Sequence, residues 1–216
     1  MIKFKDYFHS NRKFVYFISA FLIITFLALT VLIFGVKQSL SDEGSKIVNS
    51  NEFYSLKGNP TSLQRTEFDN LSLELDKELP DELKVAEYVA KSFVADYYTW
   101  NNKAGTYDIG GRDFIMPEEG SNFYHGSRLY YYSLMANYLN KGYSIKDLVE
   151  VDSISDNTAD YGAPYDYYGT QYKSYYIELS WTYTASEGIN IASFPTSAAI
   201  TMIEREDGRI EVVRFY

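Results

Sequence analysis

Two histidines and no cysteine leave this chain of 216 residues few ways to do chemistry. His125 is the one histidine beyond the N-terminal tail, so neither a histidine metal cluster nor a His–His acid/base pair assembles within one copy. A lone His between Tyr124 and Gly126 is either a base whose partner the sequence does not name or a loop residue at a helix end. Without cysteine there is no disulfide, thiolate metal site, cysteine nucleophile or lipid-modified cysteine. No G-x-S-x-G elbow and no G-x-x-x-x-G-K-[ST] loop occurs, which removes serine hydrolases of that type and P-loop nucleotide enzymes.

The remaining polar candidates are Arg112, Glu118–Glu119 and three aspartates. Arg112 follows Gly110-Gly111, a pair that makes a tight turn able to hold the guanidinium toward a ligand carboxylate, or to leave it solvated or paired with Asp108 or Asp113. Glu118 and Glu119 are adjacent in a polar stretch, where carboxylates face water. Asp156, Asp160 and Asp166 lack the alternating spacing of a calcium loop, so no metal or cofactor is expected. Aromatic chemistry is more abundant. Tyrosine occurs 22 times, and YGAPYDYYGTQYKSYY at 161–176 concentrates it. Tyr161, Tyr165, Tyr167 and Tyr168, with Trp100, could form a platform that stacks on sugar rings or docks a partner. The alternative is that these rings bury their carbons and keep their hydroxyls wet in an ordinary sheet.

Positioning these residues requires elements, and the first is apolar. Residues 14–36 run for 23 positions without a charge, enough for a helix to cross a hydrocarbon core of about 30 Å. The run is too long for a signal-peptide core and predicts an uncleaved anchor. Lys3, Lys5, Arg12 and Lys13 against Asp6 give residues 1–36 a charge of +3. The total of −9 therefore leaves −12 for the rest. Cations before the span place tail 1–13 in the cytoplasm and the chain after residue 36 outside the cell membrane. A body this acidic repels phosphate backbones, which argues against direct nucleic-acid binding.

Residues 37–80 are polar and read as a tether. After Pro80, Asp81 caps an amphipathic helix over 81–101 whose buried stripe is Ala86, Val89, Ala90, Phe93, Val94 and Tyr97. A second helical region at 121–141 breaks at Gly126 and buries Tyr131, Tyr132, Met135, Tyr138 and Leu139. Alternation then predicts strands at 145–152 and 174–184, the latter with Tyr175, Ile177, Leu179, Trp181 and Tyr183 on one face. A loop at 161–172 precedes the second. Two closing strands flank Asp207-Gly208, either in a strict two-residue hairpin that sets Glu204 opposite Glu211 or in a bulged register that separates them.

The anchor at 14–36, the helix VAEYVAKSFVADYYTWNN at 85–102 and the strands SAAITMIEREDGRIEVVRFY at 197–216 occur in an order that resembles the cone-shaped nuclear-transport-factor-like fold. More narrowly, it is similar to the single-pass assembly proteins of type IV secretion and conjugation machines. The resemblance implies an α+β domain at 81–216, with helices packed on a curved four-stranded antiparallel sheet. It further implies a non-enzymatic envelope protein that assembles with other envelope proteins. A tethered binder of a small molecule or wall glycan is the second expectation, and a hydrolase or isomerase in the cone cavity the third.

Overall fold

The structure is a computed structural model that describes residues 49–216, one compact unit with its own core. The predicted span 14–36 and tail 1–13 lie outside the described residues. Among the described residues no helix is long and apolar enough to cross a membrane.

Among the described residues four α-helices precede the strands: α1 (Ser62–Leu75), α2 (Glu82–Tyr97), α3 (Gly120–Leu129) and α4 (Tyr131–Asn140). The strands are β1 (Glu150–Tyr161), β2 (Tyr165–Tyr167), β3 (Thr170–Tyr172), β4 (Ser174–Thr184), β5 (Ser197–Glu204) and β6 (Ile210–Phe215). They form an antiparallel sheet ordered β1-β4-β5-β6 and a separate β2–β3 hairpin inserted between β1 and β4. The larger sheet is open, with β1 and β6 at opposite edges, and is not curled as a cone requires. The fold is therefore α+β with two antiparallel sheets, and the cone-like expectation is corrected.

The α2 helix forms as its sequence dictates. Asp81 accepts from the backbone N–H groups of Leu83 and Lys84, and the expected apolar stripe is buried. It packs on β1, β4 and β6, while Lys91 on its flank pairs with Glu87 at 2.7 Å and reaches Asp156 of β1 at 2.8 Å. β4 shows the expected alternation, with Tyr175, Ile177, Leu179, Trp181 and Tyr183 buried.

Tertiary contacts decided four points differently. The tether expected at 37–80 belongs to the folded unit from Asn49 onward, since Tyr54, Phe68 and Leu71 are core residues and α1 lies along α2. Thr61 and Gln64 close a capping box that starts α1. The second helical region breaks at Tyr130, not Gly126, because the chain must turn there to bury Tyr131 and Tyr132, whose hydroxyls donate to the carbonyls of Tyr98 and Tyr97. At 145–147 a 3-10 turn replaces the strand, since the Asp147 carboxylate accepts from the Ser144 N–H and hydroxyl. Finally, β1 continues to Tyr161 through residues without apolar alternation, because pairing with β4, with register shifts around Asp152 and Asn157, defines it. In the closing pair, Glu204 lies opposite Ile210, so the two glutamates do not face each other.

Candidate functional site

The tyrosine-rich stretch expected as a loop is a built hairpin. Tyr165 pairs with Tyr172 and Tyr167 with Thr170, leaving Tyr168-Gly169 as a two-residue turn. Both turn residues have positive φ, 50° and 88°, the combination of a type I′ hairpin turn, which glycine accepts freely and tyrosine does not. Asp166 supports the turn: one carboxylate oxygen accepts from the Gly169 N–H at 3.1 Å and the other from the Gln171 side chain at 2.6 Å. The signal missed in the sequence was Tyr168-Gly169 between the alternating runs Tyr165-Asp166-Tyr167 and Thr170-Gln171-Tyr172, disguised by a bulky residue where Asn or Asp is usual.

The base of the hairpin is braced against the domain. The Tyr167 hydroxyl donates to Glu119 at 3.1 Å, and partial desolvation together with that carboxylate pushes its pKa up to about 12. Arg205 stacks over the Tyr172 ring at 5.8 Å and binds Glu118 at 3.0 Å. The Glu118 carboxyl is held below its usual range by its own backbone N–H and by Arg205. Behind it, Glu211 is buried with Arg209 at 3.0 Å and Arg205 at 3.7 Å, and burial nevertheless raises its pKa. Glu118–Glu119 thus work as braces for the hairpin.

The tip carries the exposed chemistry. Tyr168 is 91 % exposed, stands edge-on to Tyr167 at 4.7 Å and 81°, and is the one non-glycine residue with positive φ among the described residues. Tyr165 and Tyr167 are half-buried. Tyr161 is exposed but leans on Tyr175, with Lys173 over its ring at 5.4 Å. The four tyrosines do not form one coplanar platform, since the rings of Tyr167 and Tyr168 are almost perpendicular. Between hairpin and β4 lies an open cleft of about 300 Å³, lined by Tyr161, Gly162, Pro164, Gln171, Tyr172, Lys173 and Ser174.

The other candidates fall elsewhere. Trp100 is fully buried among Tyr131, Tyr132 and Phe194 and belongs to the core. Arg112 and His125 are exposed and meet at Tyr124: the guanidinium lies 5.1 Å from the ring centroid and the imidazole ring 5.5 Å. Gly111 before Arg112 has φ 74° and lies so close to Phe93 that a Cβ would sit 2.7 Å from its ring. Asp156 is engaged by Lys91 and Asp166 by the hairpin turn, and among the described residues no three acidic or histidine side chains converge.

A smaller pocket of about 90 Å³ beside Lys57, Asn59, Asn102 and Gly110 contains a buried ion pair that no sequence motif marks. Asp96 accepts from Lys103 and from the Gly111 N–H at 2.6 Å. Burial disfavours its charge, yet Lys103 and that N–H hold its pKa below the usual aspartate value. With both partners satisfied, the pair fixes the 96–111 turn.

No protein-family model, no curated protein and no solved structure matches this chain. Together with the open sheet, this removes the basis for the likeness to the nuclear-transport-factor-like fold and to type IV secretion and conjugation proteins.

Proposed function

We propose that this chain is a single-pass envelope protein, held by residues 14–36 with its tail inside and its folded unit outside, and that the β2–β3 hairpin docks a protein partner. The observation that carries the docking role is Tyr168. A tyrosine in the left-handed region costs about 1–2 kcal/mol, and this one makes up little of that by packing, since it is 91 % exposed. Strain of this kind persists where surrounding structure over-determines it and where function uses it. A rigidly presented tyrosine loses little side-chain entropy on contact and supplies a large amphipathic surface, the properties of a binding anchor. Glu119, Asp166 and Arg205 supply the rigidity.

Photo-crosslinking tests this reading. With benzoylphenylalanine in place of Tyr168 in the full-length protein, irradiated cells are expected to yield a discrete larger adduct. The same residue at exposed Glu206, in the other hairpin turn, is expected to yield none. No adduct at 168, or equal labelling at both positions, would refute hairpin docking.

The cleft beside the hairpin favours a second reading, a tethered binder of a small molecule or wall glycan, since about 300 Å³ is the lower limit of ordinary ligand sites. Retention on wall polysaccharide that is lost in Tyr161→Ala and kept in Tyr168→Ala would support it over the first.

A further inference from the structure

The acidic charge of the body is unevenly distributed, and one helical corner carries none of it. From Gly120 to Lys146 there is no Asp or Glu, while Arg128, Lys141 and Lys146 are present. This stretch holds α3 and α4. Where they meet, Arg128, Leu129 and Tyr130 are consecutive and exposed, Leu129 to 72 % and Tyr130 to 77 %, and Leu134 follows one turn later at 38 %. Neighbouring apolar side chains left in water at a helix corner mark a contact surface.

Cations at this corner and at the far end of α4 lie against rings. Arg112 and Arg128 approach the same Tyr124 ring, at 5.1 and 5.7 Å, and Lys141 lies 5.3 Å from the Tyr138 ring. Among the described residues none of the three has a carboxylate within ion-pair distance. Acids close in sequence have partners elsewhere: Asp108 accepts from the Ala104 N–H, Asp113 from Ser55 and Asp147 from Ser144, while Glu118 binds Arg205 and Glu119 binds Tyr167 and Asn122. Two guanidinium groups gathered on one ring and left without a counter-ion, in a protein with surplus carboxylates, form a site for external anions.

Leucine and tyrosine flanked by unpaired Arg and Lys is the composition of a face that lies in a bilayer interface, with rings at headgroup level and cations on anionic headgroups. Distance supports the same occupant. Between Val36, the end of the predicted span, and Asn49, the start of the folded unit, the chain cannot reach farther than about 45 Å even fully extended. On the reading that residues 14–36 are an anchor, Asn49 stays within that reach of lipid. We infer that the α3–α4 corner, through Arg112, Arg128, Leu129 and Tyr130, docks on an anionic phospholipid surface. Contact through this corner would hold the domain in a fixed attitude on the membrane.

Residues 49–216 form one compact unit with a hydrophobic core, and that unit is the one to test without the anchor. It is expected to co-sediment with vesicles of equal parts phosphatidylglycerol and phosphatidylcholine, and far less with phosphatidylcholine alone. Arg112→Gln and Arg128→Gln should each weaken binding about fivefold, and added salt should weaken it further. Leu129→Ser with Tyr130→Ser should abolish binding, with circular dichroism confirming the fold. Tyr130→Trp should gain a blue-shifted emission on the mixed vesicles, above the constant signal of buried Trp100 and Trp181. Equal binding to both vesicles, no binding, or arginine-dependent capture of polyglutamate in place of vesicles would overturn the inference. Alkaline carbonate extraction of the full chain tests the anchor separately: release into the supernatant would refute the anchor while leaving the vesicle result standing.

Discussion

Tyr54→Phe removes a single oxygen from a segment whose composition reads as a tether, and the structure says the change is costly. Tyr54 is 2 % exposed, and its hydroxyl donates to the Ile210 carbonyl at 2.7 Å while accepting from the Ile210 N–H at 3.0 Å. Ile210 opens β6, an edge strand, and these two groups have no ladder partner on that side. The ring remains held in the variant by stacking on Phe114 at 5.4 Å and by Arg209 at 5.1 Å, so packing is conserved and only the hydrogen bonds are lost. Each orphaned buried backbone group costs about 1–3 kcal/mol. Partial access of water to a strand edge favours the low end, giving about 2 kcal/mol in total. Urea denaturation of the domain 49–216 measures it, as a lower midpoint at unchanged slope. Tyr107→Phe, at a 62 % exposed ring, should change nothing. A loss for Tyr54→Phe below about 0.5 kcal/mol would show that residues 49–60 do not pin β6 and that the tether reading was right for them.

Three further outcomes are expected. Tyr168→Asn puts a residue that tolerates positive φ before Gly169 and should stabilise the domain by about 0.5–1 kcal/mol while removing the proposed docking ring; a destabilised variant would mean that Tyr168 is held by packing. Asp96→Asn leaves Lys103 buried without its counter-charge and should cost about 3–5 kcal/mol near pH 7. Because the folded pKa of Asp96 is depressed, its contribution is fully present above the unfolded aspartate value of about 3.9 and is lost as pH falls through the lower folded value. Wild type and variant should therefore converge in acid, and a gap independent of pH would refute the assignment. Glu67 runs the other way: it is buried, one of its carboxylate oxygens has no partner, and burial raises its pKa despite Lys91. Glu67→Gln should raise stability at neutral pH, and the gain should shrink as pH falls through the raised folded value toward the unfolded one. Equal denaturation midpoints at neutral pH would count against it.

Local periodicity was enough for the elements that bury one face against one partner. The α2 stripe from Ala86 to Tyr97, its Asp81 cap and the alternation of β4 were all legible, because each depends on residues close together in the chain. What the sequence could not carry was any choice made by residues distant in the chain. Tyr54 is committed to Ile210, 156 positions away, and Tyr131 and Tyr132 to the carbonyls that end α2. β1 exists because β4 pairs with it, although its own pattern from Ser153 to Asp160 has no apolar alternation. Sheet curvature belongs to the same class, which is why an order of elements suggestive of a cone gave an open sheet. Of the candidate residues, the sequence isolated Tyr168, Arg112 and His125 by type alone. Tertiary structure sent Trp100 to the core, set Tyr168 alone at a hairpin tip, and gathered Arg112 and His125 around Tyr124, because burial and long-range pairing, not spacing, determine which side chains end in water together.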